Sequence, residues 1–324
     1  MFEEREWVVA TGGERLDRVL VSVWTDLSRA RVQALLGEGL ITVDGEPARP
    51  SDRPRAGAVV ALHLPEARPA DPVPQDLPLD ILHQDDHLLV VLKPAGMVVH
   101  PAPGHSDGTL VNALLHHAGG LSGIGGVARP GIVHRLDVGT SGVMVVAKND
   151  LTHRGLSEQF AVHTVERRYF AVVHRVPHLD RGTIRSSLGR DPDDRLKMVS
   201  LPSGGREAIT HWEVKARGDR VALVECRLET GRTHQVRVHL SEAGYAIVGD
   251  RAYNRRDCIP TAALRETVEA LTHPMLHAWL LSFTHPATGE RLRFTAPPPD
   301  DFLALCERAG LPVPPVATGP RSAQ

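Results

Sequence analysis

The segment 131–148, GIVHRLDVGTSGVMVVAK, places a short polar turn between two apolar runs. The runs, at 131–134 and 143–148, are rich in aliphatic residues and predict two strands. Two glycines in the turn allow the chain to reverse sharply. The turn carries one carboxylate, Asp137, so the segment predicts a strand–loop–strand unit with a single acid in its loop.

Polar residues crowd this acid in the sequence. His134 and Arg135 precede Asp137, and Thr140 and Ser141 follow it. An aspartate beside glycine most often hydrogen-bonds to its own backbone, and the two hydroxyls are suited to fixing a loop in the same way. Taken alone, the loop is better explained as a structural turn than as a site.

Patterns on both sides of this segment define a larger domain, which we place at 81–308. Runs of strands interrupted by a few helices are typical of an α+β fold with a mixed, mainly antiparallel sheet and flanking helices. The predicted strands are 87–93, 131–134, 143–148, 167–174, 221–229 and a hairpin at 280–296, and the predicted helices are 109–118, 150–160 and 233–244.

A smaller unit precedes this domain, at 1–66. Apolar residues recur at helical spacing from Leu16 to Trp24, and a second amphipathic helix follows. Two strand patterns, 40–46 and 58–64, come next, with a tight turn after the first. The order helix, helix, strand, turn, strand predicts a small αβ domain.

The second helix of this unit has a basic start. Ser28 is a typical N-cap residue, and Arg29 and Arg31 follow it directly. The helix dipole favours anions at the same end. This end of the helix is therefore a candidate surface for phosphate groups.

Two proline-rich segments bound the larger domain. Residues 67–80 hold several prolines and little apolar content, which predicts an extended linker. Residues 309–324 have a similar composition and are expected to form a disordered tail.

The overall composition is that of an ordinary soluble protein. The chain has 324 residues, a formal net charge of −2 and three cysteines without CxxC spacing. Its acidic start lacks the features of a signal peptide, and its longest aliphatic runs are too short to span a bilayer. We therefore expect a reduced, cytoplasmic protein and exclude a disulfide scaffold and a zinc knuckle.

Two further motifs could carry chemistry. ERRYFAVV (166–173) places Tyr169 at the head of an apolar strand, and ETGRTHQVRVH (229–239) places a glycine turn before a short helix. Singly, each has an ordinary explanation, as a core tyrosine or as a capped helix with a polar face. The polar side chains of the second motif are Arg232, His234, Gln235, Arg237 and His239.

Together, the three motifs resemble those of the pseudouridine synthases, in particular the branch that acts on large-subunit ribosomal RNA. HRLD-x-x-TSG, [KR]-x-Y-x-A-V and TGRTHQ-[IV]-RVH occur here in the family's order. Further segments similar to the family's stand at 93–101, 249–253 and 276–290. The resemblance covers nearly the whole of the larger domain.

The N-terminal unit resembles the small RNA-binding module of the S-four type. The similarity rests on Ser28 and Arg29 at the start of a helix, then Gly39, then ITVDG at 41–45. A module of this type in front of such a domain is the arrangement of the D-type enzymes of the family.

The resemblance implies that uridine is isomerised to pseudouridine at Asp137. A glycosidase needs two carboxylates, whereas an isomerase that keeps the base can use one. Asp137 would act either as a nucleophile at the anomeric carbon or as a base at the 2′ carbon of the sugar. In both cases it must be ionised in a dry site, which requires a cation beside it. By the family's motif this cation is Arg237, expected within about 3–4 Å.

The resemblance also assigns the other site residues. Tyr169 would lie against the uracil as the base turns, and Arg135 would fill the space left by a flipped-out uridine. The other residues expected to bind the substrate are His134, Arg232, His234 and Gln235, and those of the N-terminal unit expected to bind RNA are Ser28, Arg29 and Arg31.

Two positions depart from the family's pattern. Gly139 stands where relatives often carry aspartate or another polar residue, and His174 and Arg175 stand where glycine is frequent. The first could loosen the loop and the second could alter the end of a strand.

The resemblance implies that the protein uses no cofactor and no metal. It also implies that the protein is a monomer and that its partner is large-subunit ribosomal RNA, bound at uridines in stem-loops. The 18 histidines raise a metal hydrolase as a rival, but neither HExxH nor a Cys/His set with ligand spacing is present. A second rival is a non-catalytic RNA-binding protein of the same fold, which we would expect to have lost Asp137 first.

Overall fold

The computed structural model divides the chain into two compact units, Met1–Asp71 and Pro72–Gln324. It describes residues 3–25, 27, 29–64, 72–101, 105–118, 121, 130–194, 196–254, 260–317 and 319–322.

The first unit packs two helices with a four-stranded antiparallel sheet of order β1-β4-β2-β3. One apolar core, which includes the fully buried Leu16, Leu20 and Leu35, joins the helices and the sheet. Its elements are β1 (Glu3–Val8), α1 (Leu16–Val23), α2 (Arg29–Gly37), β2 (Ile41–Val43), β3 (Glu46–Pro47) and β4 (Val59–Leu64).

Strand β1 was not predicted from the sequence. Its residues, EEREWV, are mostly charged because the strand lies at the edge of the sheet and pairs with β4 alone. Among the side chains that the structure describes in this strand, only Arg5 and Trp7 are partly buried, so the apolar signal is too weak to mark a strand.

A buried carboxylate joins the two helices of this unit. Asp17 in α1 accepts hydrogen bonds from Arg15 at 3.0 Å, Arg29 at 2.7 Å and Gln33 at 3.0 Å. These bonds, that of Arg15 first, hold the pKa of Asp17 well below its usual range. The start of α2 is therefore fixed against α1 by charge-assisted hydrogen bonds.

The second unit is built on an 11-stranded sheet. Its main path runs β10-β9-β11-β12-β8-β13-β7-β6-β5, with β14 paired to β13 and β15 paired to β14. The strands are β5 (Asp80–Gln84), β6 (Leu88–Lys93), β7 (Ser141–Ala147), β8 (Glu166–His174), β9 (Arg181–Arg190), β10 (Met198–Ser200), β11 (Arg206–Arg217), β12 (Val221–Leu228), β13 (Leu276–Thr284), β14 (Arg291–Thr295) and β15 (Gly319–Ser322).

The predicted fold class is confirmed. Among the described strands, β13 pairs with β7 in parallel and the other pairs are antiparallel. The helices of the unit are α3 (Leu110–His117), α4 (Asp150–Ala161), α5 (Gln235–Glu242), α6 (Ala262–Ala270) and α7 (Asp300–Arg308).

Both faces of β7 are covered, and all seven of its residues are buried. Met144 and Val146 face the apolar core that contains α3, whereas Val143 and Val145 face the core that contains α4. Each buried valine side chain contributes about 1.5–3 kcal/mol relative to an exposed one. The double burial explains why the strand is a continuous aliphatic run, and it fixes the start of β7 next to the loop that holds Asp137.

Several sequence predictions need correction. Residues 131–134 form no strand, because Ile132 makes only an isolated bridge to Val146 and the chain then leaves the sheet to form the Asp137 loop. The strands between 181 and 217 were missed since one face of this part of the sheet is exposed and its residues are largely polar.

The predicted boundaries differ as well. The described part of the expected linker, 72–80, is fastened to the second unit and ends at the first residue of β5. The backbone N–H of Gln75 donates to the carbonyl of Asn112 at 3.0 Å, and His117 hydrogen-bonds to the carbonyl of Leu77 at 2.8 Å. The expected disordered tail is also attached, because Leu311 is buried in the core and β15 pairs with β14.

The end of β8 keeps the backbone shape that glycine would take. Arg175 has a φ of 66°, in the left-handed region. Its N–H donates to the carbonyl of Arg220 at 2.6 Å, which continues the pairing of β8 with β12 by one residue. The strand end therefore stays paired although an arginine occupies this left-handed position.

Candidate active site

A cavity of ≈ 620 Å³ lies where the loop 132–137, the end of α4, the start of β8 and the segment 228–237 meet. Asp137, Tyr169 and Arg237 all line it. These side chains come from three separate stretches of the chain, so the sheet is what brings them together.

The loop that carries Asp137 is held by its backbone. The N–H of Thr140 donates to the carbonyl of Asp137 at 3.0 Å, and the N–H of Gly96 donates to the carbonyl of Val138 at 2.8 Å. Ser141 hydrogen-bonds with Nδ1 of His277 at 2.9 Å. The hydroxyl of Thr140 is buried and has no hydrogen-bond partner among the described residues, so the expected loop contact comes from its backbone instead.

Gly139 is required by close packing. A Cβ at this position would lie 2.7 Å from Cδ of Pro274 and 3.2 Å from Cβ of His273. The loop therefore packs against residues 273 and 274 at a distance that excludes a side chain, and the departure from the family's polar residue fixes the loop rather than loosening it.

Arg237 lies between two carboxylates. Its Nη1 donates to Asp137 Oδ2 at 3.3 Å, within the range expected from the sequence. Its Nε and Nη2 donate to the two oxygens of Asp250 at 2.7 and 2.9 Å, a bidentate contact. The side chains of Asp137, Arg237 and Asp250 are 15%, 10% and 1% exposed.

The pKa of Arg237 follows from this position. Burial alone would lower it, but the carboxylates outweigh burial, Asp250 first and then Asp137, and raise it above its ordinary value. The guanidinium is therefore charged at every pH at which the protein is folded.

Asp250 and Tyr253 were not among the site residues expected from the sequence. The carboxylate of Asp250 also accepts from the backbone N–H of Ala252 at 3.1 Å, and the guanidinium of Arg237 lies 5.0 Å from the centre of the Tyr253 ring. The available signal was the segment GDRAY (249–253), which matched the family but had no role attached to it.

His234 caps the start of α5 in an uncommon conformation. Its φ is 56°, in the left-handed region that few non-glycine residues adopt. Its Nδ1 hydrogen-bonds with the hydroxyl of Tyr253 at 2.8 Å, and that hydroxyl accepts from the N–H of Met198 at 2.7 Å. Burial lowers the pKa of His234.

Tyr169 stands on β8 in the wall of the cavity and is 8% exposed. Burial, with a further contribution from the charge of Asp137, raises the pKa of its hydroxyl to about 12, although Arg167 opposes this. The phenol is therefore protonated near neutral pH and can donate a hydrogen bond.

Lys93 is a further residue near the site that was not expected from the sequence. The side chain is fully buried, and its Nζ donates to the carbonyls of Pro94 at 2.8 Å, Met97 at 2.9 Å and Val138 at 3.3 Å. Burial lowers the pKa of Lys93 to about 7, although the charge of Asp137 opposes the shift. Lys93 thus ties the segment after β6 to the loop of Asp137.

Two of the expected substrate-binding residues are engaged inside the protein. Nε2 of His134 accepts from the N–H of Val145 at 3.0 Å, its ring stacks on Phe160, and burial lowers its pKa to about 3. Gln235 uses its whole amide group, which accepts from Thr230 and Arg232 and donates to Ile209 and Thr210. The structure therefore gives Gln235 the task of holding the turn before α5.

Arg135 and Arg232 line the cavity from more accessible positions. Arg135 is exposed, and the half-buried Arg232 donates from Nε to the carbonyl of Glu207 at 3.0 Å. In the first unit, Arg29 is half exposed and bound to Asp17. Ser28 and the side chain of Arg31 lie outside the described residues.

Among the described residues, no group of three or more histidine, cysteine, aspartate and glutamate side chains is placed to hold a metal ion. Within the same residues, no helix has both the length and the apolar character needed to cross a membrane.

Comparison with known proteins identifies the family. A family model described as RNA pseudouridylate synthase matches residues 87–242. The chain is 48% identical over 297 residues to the ribosomal large subunit pseudouridine synthase D of Zymomonas mobilis, covering 90% of this chain and 93% of the relative. It is 45% identical over 294 residues to the uncharacterized RNA pseudouridine synthase YlyB of Bacillus subtilis, covering 91% and 93%.

A solved structure agrees with these sequence matches. The human RNA pseudouridylate synthase domain containing 4 superposes with a TM-score of 0.56 at 27% identity, covering 73% of this chain and 95% of that one. The chain therefore belongs to the RNA pseudouridylate synthase family.

Proposed function

We propose that this RNA pseudouridine synthase converts stem-loop uridines of 23S ribosomal RNA into pseudouridine, with Asp137 as its catalytic carboxylate and without a cofactor. The observation that carries the proposal is the buried row of charges Asp137, Arg237 and Asp250 in the wall of a cavity. The choice of ribosomal RNA as the substrate is supported by the similarity to relatives named as ribosomal large subunit pseudouridine synthases.

A single carboxylate is sufficient for this reaction. The bond from C1′ of the ribose to N1 of uracil breaks, the base turns, and C5 of the same base bonds to C1′, so no water is consumed. Asp137 can act either as a nucleophile at C1′ or as a base at C2′, and each requires the ionised form in a site with little water.

The contacts of Arg237 suit this requirement. Asp250 takes two of its N–H groups at 2.7 and 2.9 Å, whereas Asp137 receives one at 3.3 Å. Asp250 therefore provides the main neutralising charge and fixes the guanidinium. The single contact places a positive charge beside one oxygen of Asp137 and leaves its other oxygen for the sugar.

The substrate must be flipped out of its helix to reach the cavity, which costs a few kcal/mol of unstacking. Arg135, which is exposed, lines the cavity and lies two residues from Asp137, would occupy the vacated space. Tyr169 would contact the base through its ring and keep it in place as it turns. The first unit, with the S-four-type pattern around Arg29, would add affinity for the RNA backbone.

The test is the conversion of uridine in a 23S stem-loop transcript by the wild-type protein, by Asp137→Asn and by Asp219→Asn. Asp219 is an exposed aspartate, so its variant controls for the loss of one negative charge. We expect full activity for Asp219→Asn, none above background for Asp137→Asn, and unchanged wild-type turnover in EDTA. A wild-type protein that binds the transcripts but forms no pseudouridine in any of them would favour a non-catalytic RNA-binding protein.

A further inference from the structure

A second guanidinium, that of Arg167, is buried beside the same cavity. Arg167 stands on β8 two residues before Tyr169, so both side chains lie on one face of the sheet. It is 7% exposed and lines the cavity. Its Nη2 donates to the carbonyl of Glu229 at 2.7 Å, while its buried Nε has no hydrogen-bond partner among the described residues.

Arg167 also has no carboxylate partner within the described part of the chain, in contrast to its neighbour. Arg168, on the opposite face of β8, pairs with Glu166 at 2.7 Å and Glu225 at 3.0 Å. A buried cation without an anion costs several kcal/mol, so its retention needs a cause. An anion that enters the cavity during the reaction would supply one.

The surroundings are shaped to hold this guanidinium. It lies 5.5 Å from the centre of the Phe160 ring, a cation–π contact. A Cβ on Gly231 would lie 2.5 Å from Nη1 of Arg167, so the glycine turn before α5 leaves the space that the guanidinium needs. The position of the charge is therefore defined from two sides.

We propose that Arg167 is a catalytic residue that stabilises the negative charge on uracil when its bond to the sugar breaks. This inference rests on the proposed function. The electron pair of the C1′–N1 bond passes to the base, where it is shared between N1 and the carbonyl oxygens. The C5 carbon of this anion then bonds to C1′. In the same step Asp137 leaves C1′, if it acted as the nucleophile, or returns the proton to C2′, if it acted as the base. C5 then loses its proton and N1 gains one, so the atoms balance as an isomerisation.

The distribution of charge in the cavity supports this role. Arg237 is already bound to two carboxylates, so its guanidinium has less positive charge to offer to a uracil anion. Arg167 is close to Tyr169, whose ring we place against the base, and it is too buried to reach a backbone phosphate. A preorganised N–H donor at developing charge is a strong source of rate enhancement.

The test compares Arg167→Gln and Arg167→Lys with the control Arg168→Gln in single-turnover reactions with saturating enzyme and a 23S stem-loop transcript. We expect Arg167→Gln to reduce the rate by about 10²–10³-fold with an RNA Kd close to that of wild type. Arg167→Lys should recover part of this loss, and Arg168→Gln should react at nearly the wild-type rate.

A second substrate separates a catalytic role from a structural one. In a transcript with 5-fluorouridine the leaving base is a more stable anion and needs less help from Arg167. The loss of reaction rate caused by either Arg167 variant should therefore be about tenfold smaller than with uridine. The rate is measured as the consumption of 5-fluorouridine. Equal losses with both substrates would overturn the inference, as would a weaker Kd with a reduced salt dependence, which indicates a phosphate contact. If Arg167→Gln does not fold, Arg167→Lys carries the same comparison.

The two proposals fail in different ways. If wild type forms pseudouridine and both Arg167 variants match it, this inference is wrong while the proposed function stands. If wild type forms none on any ribosomal transcript, the proposed function fails first.

Discussion

Replacing Asp250 with asparagine tests how strongly the site depends on the buried carboxylate behind Arg237. The variant keeps the size of the side chain and removes one charge from a pair in which Asp250 is 1% and Arg237 10% exposed. Breaking a buried pair by removing one partner typically costs about 3–5 kcal/mol. Arg237 would keep only its single 3.3 Å contact with Asp137, so we expect a free-energy loss near the lower end of this range.

A matched control is available in the same chain. Asp180 contacts Arg217 at 2.7 Å, the same distance as the Arg237–Asp250 contact, but the side chain of Asp180 is 87% exposed. Exposed pairs contribute about 0–1 kcal/mol, so Asp180→Asn should leave stability nearly unchanged.

The assay is chemical and thermal unfolding of the full chain followed by circular dichroism, combined with pseudouridine formation. For a unit of this size, about 3–5 kcal/mol corresponds to a melting temperature lowered by roughly 6–20 °C. We also expect turnover of Asp250→Asn to fall by about 10²-fold even well below its melting temperature, since Arg237 is no longer fixed beside Asp137. If Asp250→Asn and Asp180→Asn were equally stable and equally active, Asp250 could not be the residue that fixes Arg237.

Three further predictions follow from the geometry. Gly139→Ala should destabilise the protein and lower turnover, because the added Cβ meets Pro274. The control Gly37→Ala should be neutral or stabilising, because nothing lies within 4 Å of its added Cβ. Equal unfolding midpoints for the two variants would contradict the close packing of Gly139. The pKa of Lys93 is lowered from 10.5 to about 7, so between these pH values the unfolded chain binds more protons than the folded protein. The free energy of unfolding should therefore rise with pH over this range in wild type, and rise less in Lys93→Met. If the free energy of unfolding changed equally between pH 7 and pH 9.5 in both proteins, the pKa of Lys93 would not be lowered by burial. Removal of residues 1–71 should weaken RNA binding in a filter assay while some pseudouridine formation remains, and an unchanged Kd would contradict an RNA-binding role for the first unit.

The centre of the fold was accessible from the sequence because burial on both faces leaves continuous aliphatic runs. The strands β6, β7 and β8 are of this kind, and their positions agree with the predictions within a residue or two. The strands β9 and β11 have one exposed face, so their polar residues conceal the strand period. The chain after α7 was misjudged because a few apolar residues, such as Leu311, are enough to attach it when a core is already present.

The candidate site was less accessible, and for a different reason. Asp137 and Arg237 are 100 residues apart in sequence, and no spacing rule connects them, so their contact was expected only through the resemblance to a family. Lys93 and Asp250 lie in segments that matched the family, but nothing local marked their roles, since a lysine at the end of a strand and an aspartate after a glycine are common at surfaces. Their importance comes from burial, which depends on parts of the chain far from them.

The place of β13 in the sheet has a consequence for biosynthesis. This strand, Leu276–Thr284, is inserted between β7 and β8, although it is made more than a hundred residues after both. On the ribosome, the parts bearing Asp137 and Tyr169 can be joined only once residue 284 has emerged from the exit tunnel. A nascent chain is thus expected to form no pseudouridine until β13 has emerged and paired, even where its first unit already binds RNA.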